Sequence, residues 1–247
     1  MHCHPWNTPP FEEVPNEENS MLCNLPADLV GKKLTVLHNI IVEKFGITPI
    51  SFRSGRWGYG LNVAASLYGL GYKIDTSITP YTNWTHYYGP DFSTISPKPF
   101  RFSWENIFSE SSTVNDALLE IPATIGYLQK HFSMCNAVDR LLRGKPLNRL
   151  RLIGLLDQLN LLNKVALSPE ISDSKNMIEL AKCLIMKGYK VINMFFHSSS
   201  LRAGLNEFVI TKSDEKQFFQ RIKEFLAFTR DEGIESIKLS EPLDQFS

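Results

Sequence analysis

Cysteine is scarce in this 247-residue sequence, and its four copies, Cys3, Cys23, Cys135 and Cys183, are scattered. No Cys-x-x-Cys spacing occurs. That excludes a disulfide framework and a thiolate zinc cage, and free thiols in a cytoplasmic compartment are expected. No run of 18 apolar residues exists, so no membrane-spanning helix is expected. The chain opens with neither a basic region nor an apolar stretch, so no signal peptide is expected either, and Asn83-Trp84-Thr85 is read as a chance glycosylation match. Charge of one sign is also lacking: 26 basic side chains balance 26 acidic ones. That excludes the electrostatic footprint of a protein living on nucleic acid or anionic membrane. What remains is ordinary, 43% hydrophobic and 21% charged. The length suits one large domain, taken here as residues 1–247, or two small ones.

Short apolar segments alternate with helical patterns. Leu34, Leu37, Ile41 and Phe45 mark one helix face, closed by Gly46. A strand is expected over 49–52, ending at Arg53, then a helix over 62–70 and a strand over 72–78 carrying Asp75. Residues 79–106 read as an aromatic, irregular loop. A strand over 118–127, helices near 131–143 and 147–162, a short strand at 165–167 and a helix over 172–187 follow. An apolar strand over 190–196, buried on both faces, leads to His197, and residues 213–231 form an amphipathic helix. Such alternation predicts an α/β fold with a parallel sheet. Arg53, Asp75 and His197 fall at strand ends, where barrel enzymes place their chemistry, so these residues are expected to meet at one mouth with His2 and His4.

The most unusual local feature is His2-Cys3-His4. In an extended segment His2 and His4 point the same way and Cys3 points away. Two imidazoles on one face can chelate a divalent metal; the plain alternative is an N-terminal tail. His197 is either a hydrogen-bonded core histidine or a proton donor. Arg53 and Asp75 read as a structural ion pair or as a second layer that sets protonation in a site. Gly55, Gly58 and Gly60 do not match the dinucleotide fingerprint and serve a tight turn. Trp6, Trp57, Tyr81, Trp84, Tyr87, Tyr88 and Trp104 could stack on sugar rings or form an apolar lid.

Taken in order, His2-Cys3-His4-Pro5-Trp6, Phe52-Arg53-Ser54-Gly55-Arg56-Trp57-Gly58, Ile74-Asp75-Thr76-Ser77 and Phe195-Phe196-His197-Ser198 resemble the polysaccharide deacetylase superfamily, the NodB-like homology domain. The resemblance implies an irregular (β/α)7-type barrel, here missing its first strand and so N-terminally truncated. It implies a hydrolase that removes acyl groups from N-acylated or O-acylated carbohydrate or a related amide, using a divalent metal, usually zinc. His2 and His4 match the metal histidines, Arg53 the arginine that orients the catalytic groups, Asp75 the next strand-end motif and His197 the general acid. Trp6, Arg56 and Trp57 are the implied substrate-binding residues. The chain departs from the family in its His-x-His spacing and in lacking the acidic first motif. The alternative expectation is therefore a catalytically inactive remnant or fragment that serves as a carbohydrate-binding module.

Overall fold

The computed structural model describes residues 1–103, 106–107, 117–144 and 152–241. Backbone contacts divide the chain into two compact units, one built on Met1–Pro122 with the segment that begins at Ile237, the other on Ala123–Ser236.

The first unit is organised by five short strands: β1 (His2–Cys3), β2 (Ser51–Ser54), β3 (Ile74–Asp75), β4 (Phe100–Ser103) and β5 (Ala117–Glu120). They form one sheet in the order β1-β2-β3-β5-β4. The first four in that order run parallel, and β4 closes the far edge antiparallel to β5. Parallel neighbours need a crossover, and α1 (Ala27–Phe45) and α2 (Leu61–Gly69) supply two of them. α1 buries Leu29, Val30, Lys33 and Leu34, a repeat of four that keeps one stripe inward. It stops at Gly46, whose φ of +65° is left-handed and whose N–H bonds Val42 O. α2 buries Val63, Ala64 and Leu67. Leu22, Leu34, Phe52, Tyr59, Tyr72, Phe92 and Phe102 belong to one buried hydrophobic cluster in this unit. Each fully buried large apolar side chain is worth roughly 1.5–3 kcal/mol.

One cation sits inside this core. Lys33 has no exposed surface. Its ammonium donates to Pro5 O (3.1 Å), Thr8 O (2.7 Å) and Pro10 O (2.7 Å), and lies 2.9 Å from Glu13. Three donors meet three carbonyls and a counter-charge, which is what a buried ammonium requires. The loop after β1 is thereby tied to α1.

The second unit carries an antiparallel pair, β6 (Ile125–Tyr127) and β7 (Lys164–Ala166), with helices α3 (Phe132–Arg143), α4 (Leu152–Gln158), α5 (Ser174–Met186) and α6 (Lys212–Asp231). Asp173 caps α5 by accepting from Asn176 N–H at 2.8 Å. Thr211 and Asp214 cap α6 reciprocally. Met177, Leu180, Ala181 and Leu184 on α5 and Phe218 and Phe225 on α6 are buried, and the two helices pack together.

The chain is a mixed α/β protein with a mainly parallel five-stranded sheet. Among the described residues no helix is long and apolar enough to cross a membrane. Several elements differ from expectation. Inside the loop expected over 79–106, Phe100–Ser103 form β4 against β5. The strand expected over 118–127 is two strands, interrupted around Pro122, which has no N–H to give a ladder. The strand expected over 72–78 ends at Asp75, because that side chain captures Ser77 N–H at 2.8 Å and turns the backbone. The apolar run 190–196 forms no strand. Asn193 O accepts from Thr124 N–H (3.1 Å), Asn193 N–H donates to the Thr124 hydroxyl (2.7 Å) and Phe195 N–H donates to Leu167 O (3.1 Å). A side chain takes one rung of the ladder, and Phe196 stays 37% exposed. Of the helix expected over 147–162, residues 147–151 lie outside the described residues and Leu152–Gln158 form α4; Trp104 also lies outside them.

Candidate functional site

β1 shows the alternation that its sequence demands. Cys3 is fully buried in the core, while His2 and His4 share the other face. His2 Nδ1 lies 2.8 Å from Arg53 O. A carbonyl only accepts, so the proton sits on Nδ1 and the lone pair on Nε2. That Nε2 is 3.0 Å from His4 Nε2, with the rings perpendicular and their centroids 4.7 Å apart. Nitrogens about 2.0–2.1 Å from one ion stand about 3.4 Å apart in tetrahedral geometry and about 2.9 Å apart in octahedral geometry. The observed spacing is that of a hydrogen bond from His4 Nε2–H to His2 Nε2, and it falls in the interval a shared ion would need once His4 gives up that proton. The approach depends on Gly55, because a Cβ there would strike the His4 ring and come 2.7 Å from Cys3 O. Trp6, half exposed, leans on His4 with centroids 4.4 Å apart. Among the described residues no third His, Cys, Asp or Glu completes a metal-holding group. The pair supplies two of the three or four ligands that zinc takes from proteins.

The carboxyl ends of β2, β3 and β5 place a second set of groups side by side. The ladder sets Phe52 beside Asp75 and Asp75 beside Glu120. Arg53 donates from Nε to Thr76 O (3.1 Å) and Thr76 Oγ1 (2.9 Å), and its guanidinium lies 5.5 Å from the Trp57 ring centre. Burial lowers the Arg53 pKa, and the charges of Asp75 and Glu120 work against that shift. Asp75 and Glu120 have no exposed surface. Asp75 accepts from the N–H and the hydroxyl of Ser77, both at 2.8 Å, and Glu120 Oε1 accepts from Ile78 N–H at 3.1 Å. Burial pushes both acids upward. Asp75 is partly relieved by hydrogen bonds from Glu120 and Ser77 and by Arg53, whereas Asp75 drives Glu120 higher still. Tyr59, also buried, has its phenol pushed up by burial and by both acids.

A third set lies in the second unit. His197 follows Phe195-Phe196 and donates its backbone N–H to Glu170 Oε1 at 2.9 Å. Its Nδ1 is 3.1 Å from Glu170 Oε2. Ser200 Oγ also donates to Glu170, and Asn206 Nδ2 donates to Ser200 Oγ at 2.6 Å. The His197 ring stacks on Phe208 with centroids 5.4 Å apart and planes 12° from parallel. Burial pushes the Glu170 carboxyl up, but hydrogen bonds from His197 and Ser200 outweigh it and hold the pKa below the usual range. A carboxylate on Nδ1 fixes the tautomer that leaves Nε2 for proton transfer.

The structure thus brings His2, His4, Arg53 and Asp75 into the first unit, with His197 in the second. Trp57 lies against Arg53, but Arg56 turns to Ser20 Oγ (2.9 Å) and Glu17 (3.7 Å). Glu120 and Glu170 escaped the sequence reading. The signals were present: one acid inside the apolar run Leu118-Leu119-Glu120-Ile121, the other two residues beyond the buried Ser168. A lone acid at such a position has to be paired or neutral. Comparison with family models, curated proteins and solved structures finds no match for this chain.

Proposed function

We propose that this chain is a metal-dependent, deacetylase-like hydrolase acting on an N-acylated or O-acylated carbohydrate or a related small amide, in a cytoplasmic setting. The observation that carries this reading is the His2–His4 pair, two Nε2 atoms 3.0 Å apart with one tautomer fixed by Arg53 O. The parallel strands whose ends bear Arg53, Asp75 and Glu120 support an irregular (β/α)7-type barrel as the finer architecture. His2 and His4 would hold a divalent ion, zinc in this reading, which would polarise the acyl carbonyl and the attacking water. Arg53, fastened at Thr76 and flanked by Trp57, is a fixed cation beside the pair and offsets negative charge that develops on the acyl oxygen. His197, in the second unit, is built to give up a proton from Nε2, the kind of transfer that a departing amine nitrogen or alcohol oxygen requires. Glu170 keeps the Nδ1 proton in place and stabilises the imidazolium before that transfer. Trp6, beside His4, presents an exposed aromatic face to a sugar ring.

A second reading is a carbohydrate-binding module without turnover, for which the half-exposed ring of Trp6 beside His4 offers a stacking face. The test is acetate release from acetylated chitooligosaccharides with added zinc or cobalt. Turnover that is lost in both His2→Ala/His4→Ala and His197→Ala supports the hydrolase. Saturable sugar binding without turnover supports the module, and neither binding nor turnover removes both readings.

A further inference from the structure

Two acids face each other inside the first unit with no route to water. Asp75 and Glu120 are register partners on adjacent parallel strands, and both are fully buried. Neighbouring side chains in such a ladder lie on the same face about 5 Å apart at Cβ. The donors around them are divided unequally. Asp75 takes two from Ser77, one on each oxygen, and Ser77 Oγ itself accepts from Ser54 N–H at 2.8 Å. Glu120 takes one, from Ile78 N–H on Oε1. Its Oε2 is buried with no N–H or hydroxyl donor in reach. An ionised oxygen left so would cost several kcal/mol, because neither water nor a dipole compensates its charge. An oxygen that carries a proton has no such need, since it is the donor.

We infer that Glu120 is a neutral carboxylic acid that donates its Oε2 hydrogen to Asp75, so that the two acids carry one negative charge between them. Arg53 on β2 is a cation whose field reaches both, and among the described residues Tyr59, from the turn before α2, also faces them. With Tyr59 neutral, the cluster holds one positive and one negative charge and closes without a net buried charge. Burial raises both acids, but the further pushes differ: Asp75 drives Glu120 higher still, while bonds from Glu120 and Ser77 and the charge of Arg53 hold Asp75 back. Glu120 is therefore a positioning residue. It gives Asp75 the third donor that neither Ser77 nor Ile78 can supply, and it links the ends of β3 and β5 beside Arg53. The inference does not depend on the hydrolase reading.

The sign of the pH effect follows from that assignment. A carboxyl whose folded pKa lies above its ordinary value near 4.5 stabilises the fold fully only below that value, and the stability is lost as pH rises toward the folded pKa. Glu120→Gln mimics the neutral acid, with an amide N–H for Asp75 and a carbonyl for Ile78 N–H, and it has no proton to lose. It should melt several degrees above the wild type at about pH 7, and the gap should close toward about pH 4. Glu120→Ala, which removes both bonds, should melt below the wild type at both. Infrared spectra of the full chain at about pH 7 should show a protonated-carboxyl band that Glu120→Gln lacks. If no such band is lost, or if Glu120→Gln melts below the wild type at about pH 7, the inference is overturned. Should Glu120→Ala fail to fold, the Gln variant and the infrared band decide alone.

Discussion

Glu120 in the first unit and Glu170 in the second are both acids with almost no exposed side chain, yet they are driven in opposite directions. Glu170 accepts from the His197 backbone, the His197 ring and Ser200, so ionisation is compensated three times over. Glu120 accepts once and faces another acid. Burial penalises both charges, and the number and polarity of the partners decide which acid keeps its proton. Lys33 obeys the same rule from the cationic side: its complete set of three carbonyls and Glu13 makes burial tolerable.

Lys33→Met offers the largest test of that rule. It leaves Glu13 and three carbonyls without their cation, and truncating one partner of a buried pair costs about 3–5 kcal/mol. Chemical denaturation should register that loss, together with faster proteolysis between Pro5 and Glu13. A cost under about 1 kcal/mol would mean that the ammonium is not compensating those groups. Gly55→Ala comes next. The added Cβ must displace the His4 ring or the Cys3 carbonyl, an overpacking cost of about 1–3 kcal/mol, and cobalt titration should show weakened binding at the histidine pair. Unchanged cobalt affinity would separate Gly55 from the pair.

Glu170→Gln bears on the comparison directly. A Glu170 carboxyl held below its ordinary value stabilises the fold above that value, and the stability fades as pH falls through the folded pKa. The variant should be about 1–2 kcal/mol less stable near neutrality, where a charged acceptor is replaced by a neutral one, and should match the wild type in strong acid. That is the mirror image of the pH dependence expected for Glu120→Gln, and melting curves of the two variants across pH measure both. Parallel curves would dissolve the distinction between the two acids. At the small end, Lys182→Ala removes a half-exposed partner of Glu179 on α5. It should shift stability by no more than about 0.5 kcal/mol, and less in high salt.

Much of this architecture can be read from residue order. The facing of His2 and His4 follows from strand geometry alone, and Leu34, Leu37, Ile41 and Phe45 with Gly46 behind them locate α1, although its buried stripe is Leu29-Val30-Lys33-Leu34 and Phe45 is 72% exposed. Helices α5 and α6 are equally local, set by Asp173 and by the Thr211–Asp214 box. The segment 190–196 shows where such reading stops. Its apolar run is a good strand pattern, yet a strand exists only where a neighbour offers a matching ladder, and the Thr124 hydroxyl takes one rung. Local sequence determined the helices, their caps, the turn at Gly46 and the common face of His2 and His4, because each depends on atoms a few residues apart. Tertiary structure alone decided that Asp75 faces Glu120, that Arg53 holds the His2 tautomer through its carbonyl, and that Glu170 seats His197. Those pairings join residues 27 to 51 positions apart, and for Asp75 and Glu120 protonation also depends on a loss of water that only the packed chain imposes.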